Sequence, residues 1–211
     1  DMRQKPELLR EFLDRITINV SEFWRNPPRW ETLERKFLPD MLSRSRRIRC
    51  WSAACSTGEE PYTLAMILAE LGALKEAEID ATDIDEGALH KAKLAVYQER
   101  SVRDMPDKYR RKYLRREHDH YIVCDEIRRS VSFRKHNLLE DAFDSGFDLI
   151  ICRNVLIYFT EEAKRLLYQK FARSLKPGGI LFVGGTEQIF SPGQYGLESA
   201  ETFFYRKKGE A

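Results

Sequence analysis

From Ile48 onward the sequence alternates short apolar runs with stretches of helical periodicity, and that alternation leaves few architectures open. Apolar runs over residues 48–54, 79–83, 131–136, 147–152 and 180–184 are interleaved with helical patterns over 59–71, 86–96 and 161–175. Strands and helices in this order build a mostly parallel sheet covered on both faces. The fold class is therefore α/β, with residues 202–206 expected as an antiparallel last strand. Lys176-Pro177-Gly178-Gly179 reads as the turn that enters the strand over 180–184.

Two segments break the rhythm. Ahead of the sheet, Leu8, Leu9, Phe12, Leu13 and Ile16 recur at helical spacing over 6–18, and Trp30, Leu33, Phe37 and Leu38 predict a second helix after Pro27-Pro28. Residues 17–26 between them read as an ordered loop. Inside the alternating region, residues 97–130 are too long for an ordinary connection and are expected as an inserted subdomain with short antiparallel strands around Tyr121-Ile122-Val123-Cys124. The organisation is thus a helical lead-in over 1–44 and a sheet domain over 45–211 that carries the insertion. A chain of 211 residues with 42% hydrophobic content can bury one such core.

No run approaches the ~18 apolar residues of a membrane span, and the first six residues lack the apolar core of a signal peptide. A cytoplasmic monomer without a membrane-inserted part is expected. Cys50, Cys55, Cys124 and Cys152 form no CxxC pair and are expected as reduced, packed thiols. His118 and His120, beside Glu117 and Asp119, have no second ligand cluster and read as solvated polar residues, so no metal is expected. The net charge of +2 argues against a general nucleic-acid binder. The charge is uneven, however: residues 100–129 hold ten Lys/Arg against six Asp/Glu, +4 by formal count, which leaves −2 for the remainder.

In open α/β sheets, ligands lie beyond the carboxyl ends of the strands near the point where strand order reverses. Here those ends are residues 52–58, 83–85, 136–138 and 153–158, and the unexpected polar residues gather there. The first strand runs into Ser52-Ala53-Ala54-Cys55-Ser56-Thr57-Gly58-Glu59-Glu60, with a single glycine before a helix. Neither GxGxxG nor GxxxxGK[ST] occurs, which disfavours pyrophosphate and triphosphate ligands. Asp83 closes the next strand and is suited to accept hydrogen bonds from two ribose hydroxyls. Helix capping by Asp83 or Asp85 is the plainer alternative. Glu60 is either an ordinary helix-start acid or the partner of a cationic ligand.

Five ordered stretches now carry a resemblance: Thr17-Ile18-Asn19-Val20-Ser21-Glu22-Phe23-Trp24-Arg25, Trp51 through Tyr62, Thr82-Asp83-Ile84-Asp85, Asn137-Leu138-Leu139, and Cys152-Arg153-Asn154-Val155-Leu156-Ile157-Tyr158-Phe159. Together they resemble the bacterial chemotaxis receptor methyltransferase family, CheR, along nearly the whole chain. The resemblance implies a Rossmann-like methyltransferase sheet, S-adenosylmethionine as donor, and glutamate side chains of methyl-accepting chemotaxis receptors as acceptors. It implies Asn19, Ser21 and Arg25 at the amino-acid end of the donor and the reacting centre, with Glu60 also at the donor. Asp83 falls on the ribose, Asn137 and Leu138 near the adenine, and Arg153 and Asn154 at the wall of the site. Relatives carry Thr where this chain has Ser21; the hydroxyl is kept. The family's helical N-terminal domain is expected to be absent, since the sequence starts beside the catalytic domain.

Within that resemblance, Arg25 is the candidate for holding the acceptor carboxylate, because a guanidinium matches two carboxylate oxygens. A surface arginine stacked on Trp24 is the alternative. Tyr158 is either a hydrogen-bond donor to acceptor or donor molecule, or a core aromatic. The basic insertion is either a docking surface for acidic receptor helices or a solvated face. Two other functions compete: a non-catalytic S-adenosylmethionine-binding adaptor, and a nucleic-acid methyltransferase. Asn26-Pro27-Pro28-Arg29 superficially matches the NPPY-like motif of the latter, but it precedes the first sheet strand and lacks the aromatic fourth residue.

Overall fold

The computed structural model describes residues 21–209, so the helix expected over 6–18 and Asn19 lie outside the described residues. A seven-stranded sheet forms the centre. Its strands are β1 (Arg49–Ala53), β2 (Glu78–Asp83), β6 (Val131–Lys135), β7 (Phe147–Cys152), β8 (Leu175–Val183), β9 (Leu197–Glu201) and β10 (Phe204–Lys207). The order is β6-β2-β1-β7-β8-β10-β9; the first five run parallel, and β10 pairs antiparallel with both β8 and β9. Sheet growth therefore reverses at β1, which places a crevice at its carboxyl end.

Residues Cys50 to Ala53 are buried, as a central strand covered on both faces requires. Their side chains alternate between two cores. Cys50 belongs to a cluster with α3 (Glu59–Glu70), whereas Trp51 and Ala53 join Phe147, Leu167 and Phe171 beneath α8 (Glu161–Ser174). Nearly every side of α3 is apolar because the helix is enclosed: Leu64, Ala65, Met66, Ile67 and Leu68 are all buried. By contrast α8 is amphipathic, with Leu167, Tyr168, Phe171 and Ala172 turned inward.

Between α4 (Glu86–Leu94) and β6, the chain forms a second sheet of β3 (Val96–Gln98), β4 (Leu114–Glu117) and β5 (His120–Val123), in the antiparallel order β3-β5-β4. Helices α5 (Glu99–Val102), α6 (Asp107–Tyr113) and α7 (Asp125–Arg129) accompany it. Phe23, Trp24, Trp30 and Phe37 from the start of the described chain share one apolar cluster with Tyr97, Tyr109 and Tyr113 of this segment and with Ile79 and Phe182 of the main sheet.

Several local expectations need correction. The helix after Pro27-Pro28 is not regular: α1 (Pro27–Thr32) and α2 (Leu38–Arg44) flank a π-helical turn over Leu33–Phe37. That wider turn comes just before Pro39, which has no N–H to give a regular turn and whose ring crowds the preceding one. Strand β8 begins at Leu175 rather than Ile180, with Leu175 paired to Phe147 and the register shifting across Lys176–Gly179 before Ile180 meets Leu149. The pattern over 86–96 ends at Leu94, because Ala95 turns left-handed and Val96 opens β3. The antiparallel end is a hairpin of two strands, β9 and β10, where the sequence pattern indicated one.

Candidate functional site

Four strand ends meet along the carboxyl edge of the sheet in the order β6, β2, β1, β7, and each contributes polar groups. At β1 the chain leaves the sheet through three left-handed residues, Ala54, Ser56 and Gly58. Gly58 has φ 93°, and a Cβ there would meet the Ala92 side chain at 2.9 Å and the Tyr97 hydroxyl at 3.1 Å. Only glycine fits this turn. The turn is held from the neighbouring strand: Cys55 N donates to Thr82 O at 2.8 Å, and Ser56 N donates to Asp83 Oδ2 at 2.8 Å. The small sheet holds it as well, through Tyr97 OH donating to Thr57 O at 2.7 Å.

Asp83 receives a second backbone bond, from Asp85 N to Oδ1 at 2.9 Å, and burial pushes its carboxyl up despite these donors. Ile84 N adds a third backbone donor, and a carboxylate with about four lone-pair sites keeps room for a further one. Capping of α4 falls to Asp85, which accepts from Gly87 N and Ala88 N. The Ser56 hydroxyl is buried and has no hydrogen-bond partner among the described residues. A buried polar atom left in this way beside a carboxylate suits a polar ligand in the turn.

The two glutamates that open α3 part company. Glu59, 2% exposed, accepts from the Thr57 hydroxyl at 2.7 Å and from the Ser21 side chain, and burial raises its pKa. Glu60 turns to the sheet, where Ser52 Oγ donates to its Oε1 at 2.8 Å and Arg153 Nη1 stands 3.8 Å from Oε2. Burial pushes the Glu60 carboxyl up to about 7, although Arg153, Ser52 and Arg25 all favour the anion. An acid so poised gains from a cationic ligand.

Arg153 leaves the end of β7 and is buried, its guanidinium carbon 4.7 Å from the Phe182 ring and 5.5 Å from the Trp30 ring. Its Nη2 donates to the backbone carbonyl of Arg25 at 2.7 Å, so one side chain ties the Arg25 loop to Glu60. That loop is fixed elsewhere by Phe23 N donating to Ser101 O at 2.9 Å, by Trp24 N donating to the Thr63 hydroxyl at 3.3 Å, and by Trp24 packed on Tyr109 at 4.4 Å between ring centres. Trp24 and Asn26 are left-handed.

At the β6 end, His136 N donates to Asp83 O at 2.9 Å, and Asn137 Oδ1 accepts from Leu139 N at 3.0 Å in a side-chain-closed turn. Leu138 is buried. At the β7 end, Asn154 is left-handed, and Tyr158, half exposed at 54%, ends a short 3-10 turn over Leu156–Tyr158. The structure thus brings Ser21, Arg25, Glu60, Asp83 and Arg153 into a bonded arrangement around β1 and α3. Asn137 and Leu138 stand on the far side of Asp83, and Asn154 and Tyr158 beyond Arg153. Sequence reasoning passed over Glu59, Thr57 and Tyr97, which hold the turn, and Glu187, which lies at the carboxyl end of β8 like the residues that were singled out.

The chain matches the family described as CheR methyltransferase, SAM binding domain, over residues 19–204. A chemotaxis protein methyltransferase of Listeria monocytogenes serovar 1/2a is 47% identical over 207 residues, 98% of this chain and 79% of that protein. Counterparts of the same description from Borreliella burgdorferi and, as methyltransferase 1, from Pseudomonas aeruginosa are both 36% identical, over 94% and 95% of this chain and 74% and 78% of those proteins. The lone-glycine turn, the acid that ends β2 and the part-buried Glu60 at the start of α3 stand at the carboxyl edge of the sheet, where such folds bind ligands. This chain therefore belongs to the CheR family and is an S-adenosylmethionine-dependent methyltransferase of chemotaxis.

Proposed function

We propose that the chain transfers a methyl group to glutamate side-chain carboxylates on the cytoplasmic helices of chemotaxis receptors. The observation that carries this reading is the buried Arg153, which joins the carbonyl of Arg25 to the Glu60 carboxylate and so holds an acceptor-binding arginine beside a donor-binding acid. When bound, S-adenosylmethionine supplies a sulfonium-activated methyl group. Glu60 would pair as the anion with the α-ammonium of the donor's amino-acid end, and Asp83 would accept from the ribose hydroxyls. Asn137 and Leu138 line the adenine side, with Asn154 on the opposite wall. Ser21 acts through Glu59, to which its side chain bonds. Asn19 is assigned to the donor's amino-acid end on family likeness alone.

An acceptor glutamate with the ordinary pKa of about 4.3 is already ionised at neutral pH, so no general base is required. Rate then comes from alignment, for which effective-molarity gains of roughly 7–11 kcal/mol are attainable. Arg25 holds the carboxylate with its planar fork, and Tyr158, exposed at the rim, donates a hydrogen bond to the acceptor. The basic surface of the small sheet docks acidic receptor helices, with Arg111 and Arg115 among its exposed ion-paired arginines.

The deciding assay incubates the protein with methyl-labelled donor and receptor-rich membranes and measures base-labile methyl ester. Label that resists base, or goes to nucleic acid, sinks the reading. Arg25→Ala is expected to lower kcat at least about 100-fold, the scale of a lost orienting contact, while the Kd for S-adenosylhomocysteine stays within a few-fold. Near wild-type turnover at saturating substrates removes Arg25 from the mechanism.

A further inference from the structure

Glu187 is a buried acid, 4% exposed, to which no role has been given above. Its Oε2 accepts from Asn154 N at 2.8 Å and from Gly184 N at 2.8 Å, and its Oε1 accepts from Leu156 N at 2.7 Å. Three backbone donors on one carboxylate form a strong, directional set of charge-assisted bonds. They come from two different strand exits. Gly184 follows β8, whereas Asn154 and Leu156 belong to the turn that follows β7 and ends at Tyr158. Asn154 is in the left-handed region at φ 61°, which asparagine adopts more readily than most residues. The fit is tight: a Cβ on Gly184 would stand 2.5 Å from Glu187 Oε2 and 2.9 Å from Asn154 N.

We infer that Glu187 is a positioning residue for methyl transfer: its carboxylate fixes the turn after β7 and thereby sets where Tyr158 and the Asn154 wall stand relative to the reacting carbon. The inference rests on the proposed roles of Tyr158 and Asn154. Chemistry supports it. Direct displacement that relies on alignment alone is sensitive to a small misplacement, and about 1 Å can cost 100-fold. Tyr158 has little packing of its own to locate it, since its side chain is on the surface. Its position therefore follows the backbone it hangs from, and that backbone is pinned through Leu156 N and Asn154 N.

Glu187→Gln tests this, because the amide keeps the shape but presents an NH2 to at least one of the three N–H donors. With receptor as acceptor, kcat should fall about 10- to 100-fold. The Kd for S-adenosylhomocysteine, by calorimetry, should stay within about threefold, because no hydrogen bond of Glu60 or Asp83 is removed and loss of the Glu187 charge only eases ionisation of Glu60. Hydrogen exchange at the Leu156 and Asn154 amides should accelerate more than at the amides of β1. In the Tyr158→Phe background, Glu187→Gln should cost much less than in the wild type, since both changes act on one contact. Should Glu187→Gln fail to fold, Glu187→Asp, which keeps the charge and shortens the reach, is put through the same measurements with the same expectation. Unchanged kcat, a Kd that weakens in step with kcat, or full additivity with Tyr158→Phe each overturns the inference. A wild-type protein that makes no carboxylate ester overturns the functional reading instead, and leaves the exchange result to report on the clamp.

Discussion

Glu59 and Glu60 are neighbours in sequence with opposite assignments. A helix turns about 100° per residue, so one acid faces the Ser21 and Thr57 hydroxyls while the next faces Ser52 and Arg153. Nothing in the two letters distinguishes them; the elements packed around each decide. The consequence for Glu60 is measurable. Its carboxyl sits at about 7 in the ligand-free protein, against about 4.3 in an unfolded chain. Between those values the folded state binds more protons than the unfolded state, so stability falls as pH rises from about 4.5 to 7. Raised acids at Glu59 and Asp83 act in the same direction. A ligand ammonium group that pairs with Glu60 cancels the penalty, so the rise in Tm caused by S-adenosylhomocysteine should grow from pH 5 to pH 8. Binding near pH 6.5 should also release a proton, which calorimetry in buffers of different ionisation enthalpy detects. A pH-independent Tm shift with no proton release argues against Glu60 as the cation's partner.

At the scale of elements, the strand-turn-helix from β1 to α3 is the part that tolerates least change. Gly58 combines φ 93° with Ala92 and Tyr97 pressed against the place a Cβ would take. Gly58→Ala should cost about 2–4 kcal/mol from the left-handed penalty and overpacking together, read from denaturant midpoints, and should weaken donor binding in parallel. A loss under about 1 kcal/mol means the turn can relax and is not the rigid cradle described. The boundaries of β7 are legible in the letters because an inner parallel strand favours a near-continuous apolar run, and Leu149 to Cys152 supply one; β2, with Asp80 and Thr82 inside it, is marked less sharply and starts one residue earlier, at Glu78. Strand β9 is not legible: of Leu197 to Glu201 only Leu197 is buried, and the segment is a strand because β10 pairs with it. In the letters β8 starts five residues late, because Pro177, Gly178 and Gly179 mark a turn, yet they sit in an irregular stretch inside the strand.

At the scale of the whole molecule, the Arg25 loop, the small sheet and the main sheet are joined by aromatic contacts between distant segments. Phe23 meets Tyr97 edge-on at 4.9 Å, Trp24 lies on Tyr109 at 4.4 Å, and Trp30 meets Phe182 at 5.8 Å. Trp24 is 3% exposed, so Trp24→Ala should cost about 3–5 kcal/mol by cavity formation and should reduce methyl transfer beyond that loss by freeing the Arg25 loop. Urea unfolding gives the first quantity, and turnover below the Tm gives the second. A change under about 1 kcal/mol with full turnover shows that the loop is held from elsewhere. The basic character of residues 100–129 is likewise altered by folding, because many of its charges pair within the molecule: Lys108 with Glu34, Lys112 with Glu70, and Arg110 with Glu99 and Asp107. By itself the sequence determined the α/β alternation, the strands that must be inner ones, and the rim where polar residues collect, because burial period and turn chemistry are local properties. Only the tertiary structure decided that Arg153 would reach back 128 residues to the Arg25 carbonyl, that Glu60 rather than Glu59 would face it, and that Glu187 would close two strand exits. Those contacts join segments far apart in the chain, and their energies exist only once the sheet has fixed the distances between strand ends.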